Sequence, residues 1–201
     1  MARIKHTKTE LKTERDAQRR YQRYLPILQL KKQQLQMEIR TLESRMRKKS
    51  KEEEEARARV GPWIKLFSES FEFASHLHIR QRVLSTDNIV GVTIPILEDL
   101  QFTREVPDLL NTPTWIDDGL RYLETLVRIR TELDVFGKQH VLLTNELRVT
   151  TQRVNLFEKV KIPESKRNIR VIRIFLGDMQ IAEVARAKIA KAKIIDKEHI
   201  D

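Results

Sequence analysis

The first sixty residues carry a hydrophobic repeat of seven residues. When the first and fourth heptad positions are read from Leu11 to Lys49, eight of the twelve are apolar or aromatic. This spacing is typical of a coiled-coil helix, because it places a narrow apolar seam along one face. We expect the helix to be interrupted at Gly61-Pro62. The eight seam residues are Leu11, Tyr21, Leu25, Leu28, Leu35, Ile39, Leu42 and Met46.

A second seam of the same kind runs through the C-terminal half. Eight of the eleven heptad positions between Leu126 and Lys161 are apolar or aromatic. Thr114 is a suitable N-cap for this helix, because its hydroxyl can accept a bond from a free backbone N–H. The apolar stripe resumes after Pro163 and ends in small residues, which permit close approach to another surface. The pattern predicts a second long helix over residues 114–201.

The residues between the two seams have a different pattern. Trp63, Phe67, Phe71 and Phe73 suggest a short amphipathic helix, and residues 79–104 are rich in β-branched side chains, with a turn expected over 86–88. We therefore predict a mainly α fold, a long antiparallel two-helix coiled coil formed by the N- and C-terminal helices, with a small central β-hairpin region. The three segments are 1–60, 61–113 and 114–201.

The register of the two helices depends on where the first one stops and the second one starts. If the first helix runs out near residue 76 and the second returns near residue 114, the numbers of facing residues should add up to about 190 to 200. Leu42 would then face the level of Val154, and Leu11 that of Ile189.

The composition agrees with an elongated helical protein and excludes several classes. Charged residues make up 34% of the chain, against roughly 25% in an average globular domain. There are only five Gly and six Pro, too few for a fold of many strands and turns. There is no Cys, which excludes disulfide scaffolds and thiol chemistry. We expect neither a secretory signal nor a membrane-spanning segment, because no apolar run approaches ~20 residues.

The residue types that carry enzyme chemistry show no useful arrangement. No two glycines lie closer than Gly119 and Gly137, so neither type of glycine-rich phosphate loop can form. His76 and His78 have no third metal ligand nearby, and His140 lies in the second seam as a polar packing residue. We expect no catalytic residue, no cofactor and no metal.

The excess of basic residues is the remaining functional signal. Lys and Arg number 39 and Asp and Glu number 29, which gives a net charge of +10. Four interpretations are compatible with this charge: solvated flanks of a coiled coil, a basic coiled coil that binds nucleic acid, a scaffold on a membrane surface, and a rod whose ends are surrounded by an acidic protein surface.

Three parts of the chain carry a family resemblance. The first is Thr-Lys-Thr-Glu-Leu at 7–11 with Leu-Pro-Ile-Leu-Gln-Leu-Lys-Lys-Gln-Gln-Leu at 25–35. The second is Asn-Ile-Val-Gly-Val-Thr-Ile-Pro at 88–95, and the third is Thr-Gln-Arg-Val-Asn-Leu-Phe-Glu at 151–158 followed by Ile162-Pro163. Together they resemble the D subunit of vacuolar/archaeal-type (V/A-type) rotary ATPases.

The resemblance implies a function without catalysis. The D subunit of these complexes is the central rotor shaft, which transmits torque between ATP hydrolysis or synthesis in the head of A and B subunits and ion translocation through the membrane ring. The implied partners are the A and B subunits, the F subunit near residues 79–104, and the adaptor of the membrane ring, with one copy of the chain per complex. The implied location is peripheral, on the cytoplasmic side of a membrane, with neither nucleic-acid binding nor membrane insertion.

The resemblance also suggests which residues touch partners. Both chain ends should enter the pore of the head, where apolar side chains seat in a collar and basic ones face acidic loops. The apolar candidates are Ile4, Leu11, Ile181, Ile189 and Ile195, and the basic ones are Arg186, Lys188 and Lys191. Arg153 and Asn155 flank the second seam and are further candidates for partner contact.

Overall fold

The computed structural model describes residues 5–68, 73–105 and 113–198. It is mainly helical, and a two-stranded antiparallel sheet lies between two long helical stretches, which confirms the predicted fold class. Its elements, in chain order, are helix α1 (Lys8–Val60), a 3-10 segment (Gly61–Ser68), helix α2 (Phe73–His76), strands β1 (Leu77–Ile89) and β2 (Val92–Arg104), helix α3 (Ile116–Asn155), a π-helical turn (Leu156–Lys161) and helix α4 (Ile162–Glu198).

The chain divides into two compact units. The terminal unit consists of residues 1–30 and 150–201, and the central unit of residues 31–149. Each unit therefore contains a piece of α1 and a piece of the second helical stretch.

The start of α1 follows from a local capping interaction. The Thr7 hydroxyl accepts a hydrogen bond from the backbone N–H of Glu10 at 3.2 Å, which satisfies a donor that has no partner within the helix. The acidic side chain of Glu10 lies in the first turn, where it complements the positive end of the helix dipole.

The central unit has a core built from three elements. Leu35, Ile39 and Leu42 of α1 pack with Leu143 of α3 and with Ile94 of β2, and all five side chains are buried. The hairpin thus covers an apolar seam that two helices alone would leave open to water on one side.

The hairpin turn lies three to four residues later than the sequence predicted, at residues 90 and 91 instead of 86–88. Strand β1 continues through residues 86–88, and the chain reverses at Val90 and Gly91, whose φ angles are 54° and 80°. Positive φ at both central residues is the geometry that two-residue hairpins favour, and glycine adopts it without steric cost. The Asn88 side chain accepts a hydrogen bond from the Gly91 N–H at 2.8 Å and holds the turn in place.

Polar contacts hold the hairpin against α3 along the length of β2. The Gln139 side-chain amide donates to the Pro95 carbonyl at 2.6 Å, and the Arg128 guanidinium donates to the Leu100 carbonyl at 3.3 Å. Near the end of the strand, Arg104 pairs with Asp117. The hairpin is therefore part of the central unit's packed structure.

Contacts across each helix pair establish an antiparallel register that differs from the predicted one. In all of them the two residue numbers add up to between 177 and 183, so the expected range of about 190 to 200 is wrong. The central pairs are Lys31–Glu146, Glu43–His140, Lys49–Glu132 and Glu53–Arg130, and the terminal ones are Glu14–Asn168 and Tyr21–Phe157.

The physical reason is the point at which α1 ends. The register estimate let the outward run continue past the predicted interruption to about residue 76, but α1 pairs only as far as Val60, where Gly61 and Pro62 end it. The chain tightens into the 3-10 segment, whose Trp63 and Phe67 rings stack with centroids 5.5 Å apart. Because α3 begins at Ile116, the earlier stop shifts every pair across the seam.

This register can be tested by chemical cross-linking, because the chain has no native cysteine. We expect Glu43→Cys with His140→Cys to be joined efficiently by a short bis-maleimide, since the parent side chains approach to 3.4 Å. The control pair, Glu43→Cys with Leu147→Cys, is shifted by two helical turns, about 10 Å, on the same face of α3. Preferential cross-linking of the control pair, measured by peptide mass spectrometry, would contradict the observed register.

Candidate interaction surfaces

The whole net charge of the chain resides in the terminal unit. Residues 1–30 and 150–201 contain 20 basic and 10 acidic residues, whereas residues 31–149 contain 19 of each. The net charges are therefore +10 and zero. A field of one sign around one unit attracts acidic surfaces and steers association with them.

The central unit pairs many of its cations with carboxylates. Lys49 of α1 lies 2.9 Å from both Glu52 and Glu132, and the nearly buried Glu53 accepts bonds from Arg57 at 2.7 Å and Arg130 at 2.9 Å. The hydrogen bond to Glu132, followed by the one to Glu52, raises the pKa of the Lys49 ammonium above its usual 10.5. Several of these bonds join α1 to α3 and so support the register.

The terminal unit uses its charges differently. The ion pairs of its described residues are Arg19–Asp16 and Lys161–Glu164, and each lies within one helical segment. The hydrogen bond that Lys161 donates to Glu164 raises the pKa of the Lys161 ammonium group. The polar contact that crosses between helices is the bond from the buried Asn168 amide to Glu14, at 2.8 Å. Many of the cations in this unit thus remain free to meet an external surface.

The C-terminal part of α4 extends beyond the start of α1. The last described contact across the terminal pair joins the rings of His6 and Phe175, whose centroids are 4.8 Å apart. Helix α4 continues to Glu198, and every side chain from Asp178 to Lys193 is exposed. Four large apolar side chains are included in this exposed segment. They are Met179, Ile181, Val184 and Ile189.

The candidates predicted for the chain ends fall largely in this segment. Ile181 and Ile189 are 71% and 57% exposed, and Arg186, Lys188 and Lys191 are exposed beside them. Leu11 differs, because it is half-buried in α1. Ile4 lies outside the described residues, as does the side chain of Ile195.

Two predicted contact residues lie at the end of α3, in the segment 151–158 that carries part of the family resemblance. Arg153 and Asn155 are both exposed, and Val154 between them is buried at 4% exposure. The structure therefore separates these two side chains from the core but does not bring them next to the exposed segment of α4.

The heptad analysis missed a basic groove further along α4. Lys166, Arg170 and Arg173 recur at helical spacing beside Gln18 of α1. The three residues are visible in the sequence as a stripe of cations. The apolar spacing of Ile169 and Ile172 predicts only the packing face of the same helix. A charge pattern read separately from the apolar one could have found them.

Two classes of functional site have no representative in the part of the chain that the structure describes. Over residues 5–68, 73–105 and 113–198, no group of three His, Cys, Asp or Glu side chains could hold a metal ion. Within the same ranges, no helix has an apolar stretch of the length that crossing a bilayer requires.

The described parts define a mainly helical protein of long paired helices with a small two-stranded sheet. Its central unit is neutral and rich in ion pairs, and its terminal unit is basic. Comparison with known proteins gives the family. The family model for the ATP synthase D subunit matches residues 10–192. The chain therefore belongs to the ATP synthase D-subunit family, which confirms the resemblance.

Individual relatives match over nearly their whole length. The V-type ATP synthase D subunit of Borreliella burgdorferi is 46% identical over 197 residues, covering 98% of each chain. The proteins of the same name from Chlamydia caviae and Chlamydia felis are 33% and 34% identical, covering 95% of this chain and 93% of theirs.

The ion pairs of Lys49 make a prediction about stability and pH. Lys49→Met should lower the free energy of unfolding by about 1 kcal/mol at neutral pH, because Glu52 and Glu132 lose their partner. Since the folded pKa is raised, this contribution is fully present below the unfolded value of 10.5 and is lost as the pH rises through the folded pKa. Urea unfolding at neutral and strongly alkaline pH measures both effects.

Lys48→Met is the matched control, because Lys48 is exposed and forms no ion pair with any described residue. We expect it to be neutral within about 0.5 kcal/mol at either pH. Equal destabilisation by the two substitutions, or a Lys49 effect that grows with alkalinity, would contradict the assigned role of the pair.

Proposed function

We propose that the chain is the non-catalytic central rotor shaft of a V/A-type ATPase. In this proposal it transmits torque between ATP hydrolysis or synthesis in a hexamer of A and B subunits and ion translocation through the membrane ring. Family membership supports a subunit of such a complex. The observation that favours the shaft role is the exposed end of α4, which carries both apolar and basic side chains over residues 178–193.

The proposed mechanism needs no reacting group in this chain. A single shaft inside a ring of three equivalent A/B pairs contacts each pair differently, because one chain has no threefold symmetry. Rotation then changes which nucleotide site is open or closed, and binding energy at the sites is exchanged for torque on the shaft. The paired charges that join α1 to α3 support this role, since they resist sliding of one helix along the other.

The proposed division of labour assigns each region of the chain to a partner. Both chain ends enter the head, where Ile181 and Ile189 meet an apolar collar and Arg186, Lys188 and Lys191 face acidic loops. Arg153 and Asn155 make further partner contacts. The central segment 61–113 lies toward the membrane, with the F subunit near the hairpin and the ring adaptor beyond it. One copy serves each complex, held peripherally on the cytoplasmic side.

Nucleic-acid binding is a second candidate, because all of the excess positive charge lies in one unit. The exposed end of α4 argues against it. It carries large apolar side chains as well as basic ones, and no aromatic side chain is available over 178–193 to stack on a base. Binding to an oligonucleotide that persists at moderate salt would favour this candidate.

Substitution of the exposed apolar residues tests the shaft role. Ile181→Asp with Ile189→Asp should weaken binding to a reconstituted head of A and B subunits by at least tenfold, because two charges would enter an apolar collar. Coupled ATPase activity should fall with binding. Surface plasmon resonance measures the affinity, and native mass spectrometry of the wild-type complex should show one copy of the chain per hexamer.

The control places the same charges on the central unit. Met37→Asp with Leu84→Asp alters two apolar side chains that are 67% and 52% exposed, and it should leave affinity for the head unchanged. Circular dichroism should show equal helicity for all variants. Unchanged affinity and coupled activity of the Ile181 and Ile189 variant would refute the proposed seating of the shaft.

A further inference from the structure

A basic groove lies within the terminal unit, between α1 and α4. It is a shallow, open groove of about 550 Å³, lined by Gln18, Lys166, Ile169, Arg170, Arg173 and Ile174. The floor residue Ile169 is buried, whereas the three cations and Ile174 are exposed. The groove is distinct from the exposed end of α4, which begins beyond it.

The three cations form one stripe on α4. Lys166, Arg170 and Arg173 are separated by four and three residues, the spacings at which side chains on a helix are neighbours. None of the three has an ion pair among the described residues, although such pairs are frequent in the central unit. Like charges at this spacing destabilise a helix, and a carboxylate placed among them would relieve the repulsion.

The extent of the stripe favours a protein segment over a polyanion. The first and last of its charges are separated by about 10 Å along the helix. Glu164 precedes the stripe and Asp178 follows it in the sequence, so the run of cations along α4 is short. The groove lining contains no aromatic ring for base stacking. Three cations over this length offer few contacts to an extended phosphate backbone or to a membrane surface.

Exposed apolar side chains form a rim beside the three cations, and a ligand of the groove would contact both. Ile174 is 56% exposed at the edge of the groove, and Val171 and Phe175 are exposed next to it in the sequence. Cations beside an apolar rim match a segment that alternates carboxylates with apolar residues.

We infer that this groove binds an acidic, partly apolar segment of another protein subunit, with carboxylates between Lys166, Arg170 and Arg173. This inference rests on the proposed function, because the partner is taken to be a subunit of the same complex. It adds a binding surface on α4 that is separate from the seating of the chain ends.

Zero-length cross-linking of the assembled complex tests the inference directly. A carbodiimide couples lysine amines to carboxylates in contact with them. Arg170→Lys with Arg173→Lys keeps the charge and supplies two more amines beside Lys166. We expect mass spectrometry to find these positions joined to one Asp- or Glu-containing segment of another subunit. Assembly of the complex with no such cross-link at any of the three positions would overturn the inference.

An affinity measurement adds a matched control. Lys166→Gln, Arg170→Gln and Arg173→Gln together should weaken assembly about tenfold at low salt, with a smaller difference at high salt, because exposed charges are screened. The control removes three exposed cations of the central unit that form no ion pair with described residues, Arg40→Gln, Arg47→Gln and Lys48→Gln. We expect the control to stay within about twofold of wild type.

The outcomes separate this inference from the proposed function. If the wild-type chain does not assemble with the other subunits, the proposed function fails. If it assembles and the groove variant assembles equally well, the inference fails and the function stands. Binding of the wild-type chain alone to a short oligonucleotide or to anionic vesicles at physiological salt, lost in the groove variant, would also overturn the inference.

Discussion

The antiparallel register of the two helical stretches is the constraint on which the other features depend. It is set where Gly61 and Pro62 end α1, because the length of chain between α1 and α3 determines which residues meet. Moving this stop by a few residues would separate Lys49 from Glu132 and Glu53 from Arg130. It would also change how far α4 extends past the start of α1, and hence how much of the terminal unit is free for partners.

The same register divides the charges into two uses. Across the central pair, cations and carboxylates meet, and they hold two helices whose apolar seam is narrow. In the terminal unit the contacts between the helices are instead a hydrogen bond from the Asn168 side-chain amide and ring contacts of His6 and Tyr21. Many of its described cations therefore form no ion pair within the unit. A partner that binds this unit has fewer ion pairs to disrupt than one that binds the central unit. The unpaired charges of the terminal unit also attract acidic surfaces before contact is made.

Much of the fold could be predicted from sequence because heptad spacing and β-branched residues are local signals. Leu35, Ile39, Leu42 and Leu143 were seam positions, and all are buried. The stop of α1 at Gly61-Pro62 was predicted, but the register was not, since it depends on how much of the chain between α1 and α3 continues the helix pair. The candidates Ile181 and Ile189 followed from family resemblance, whereas the groove required the two helices to be placed side by side.

The π-helical turn explains why the second seam loses its heptad phase. Such a turn inserts one extra residue into a helix, so every later seam position moves forward by one. Pro163, just after the turn, lacks the N–H that a regular helix would need, and the wider turn accommodates its ring. Continued heptads would place positions 164, 168, 171 and 175 in the seam, but the structure buries 165, 168, 169 and 172 and exposes 171 and 175. The shift keeps an apolar face toward α1 and leaves the cations at positions 166, 170 and 173 exposed at its border, where the basic groove forms beside Gln18 of α1.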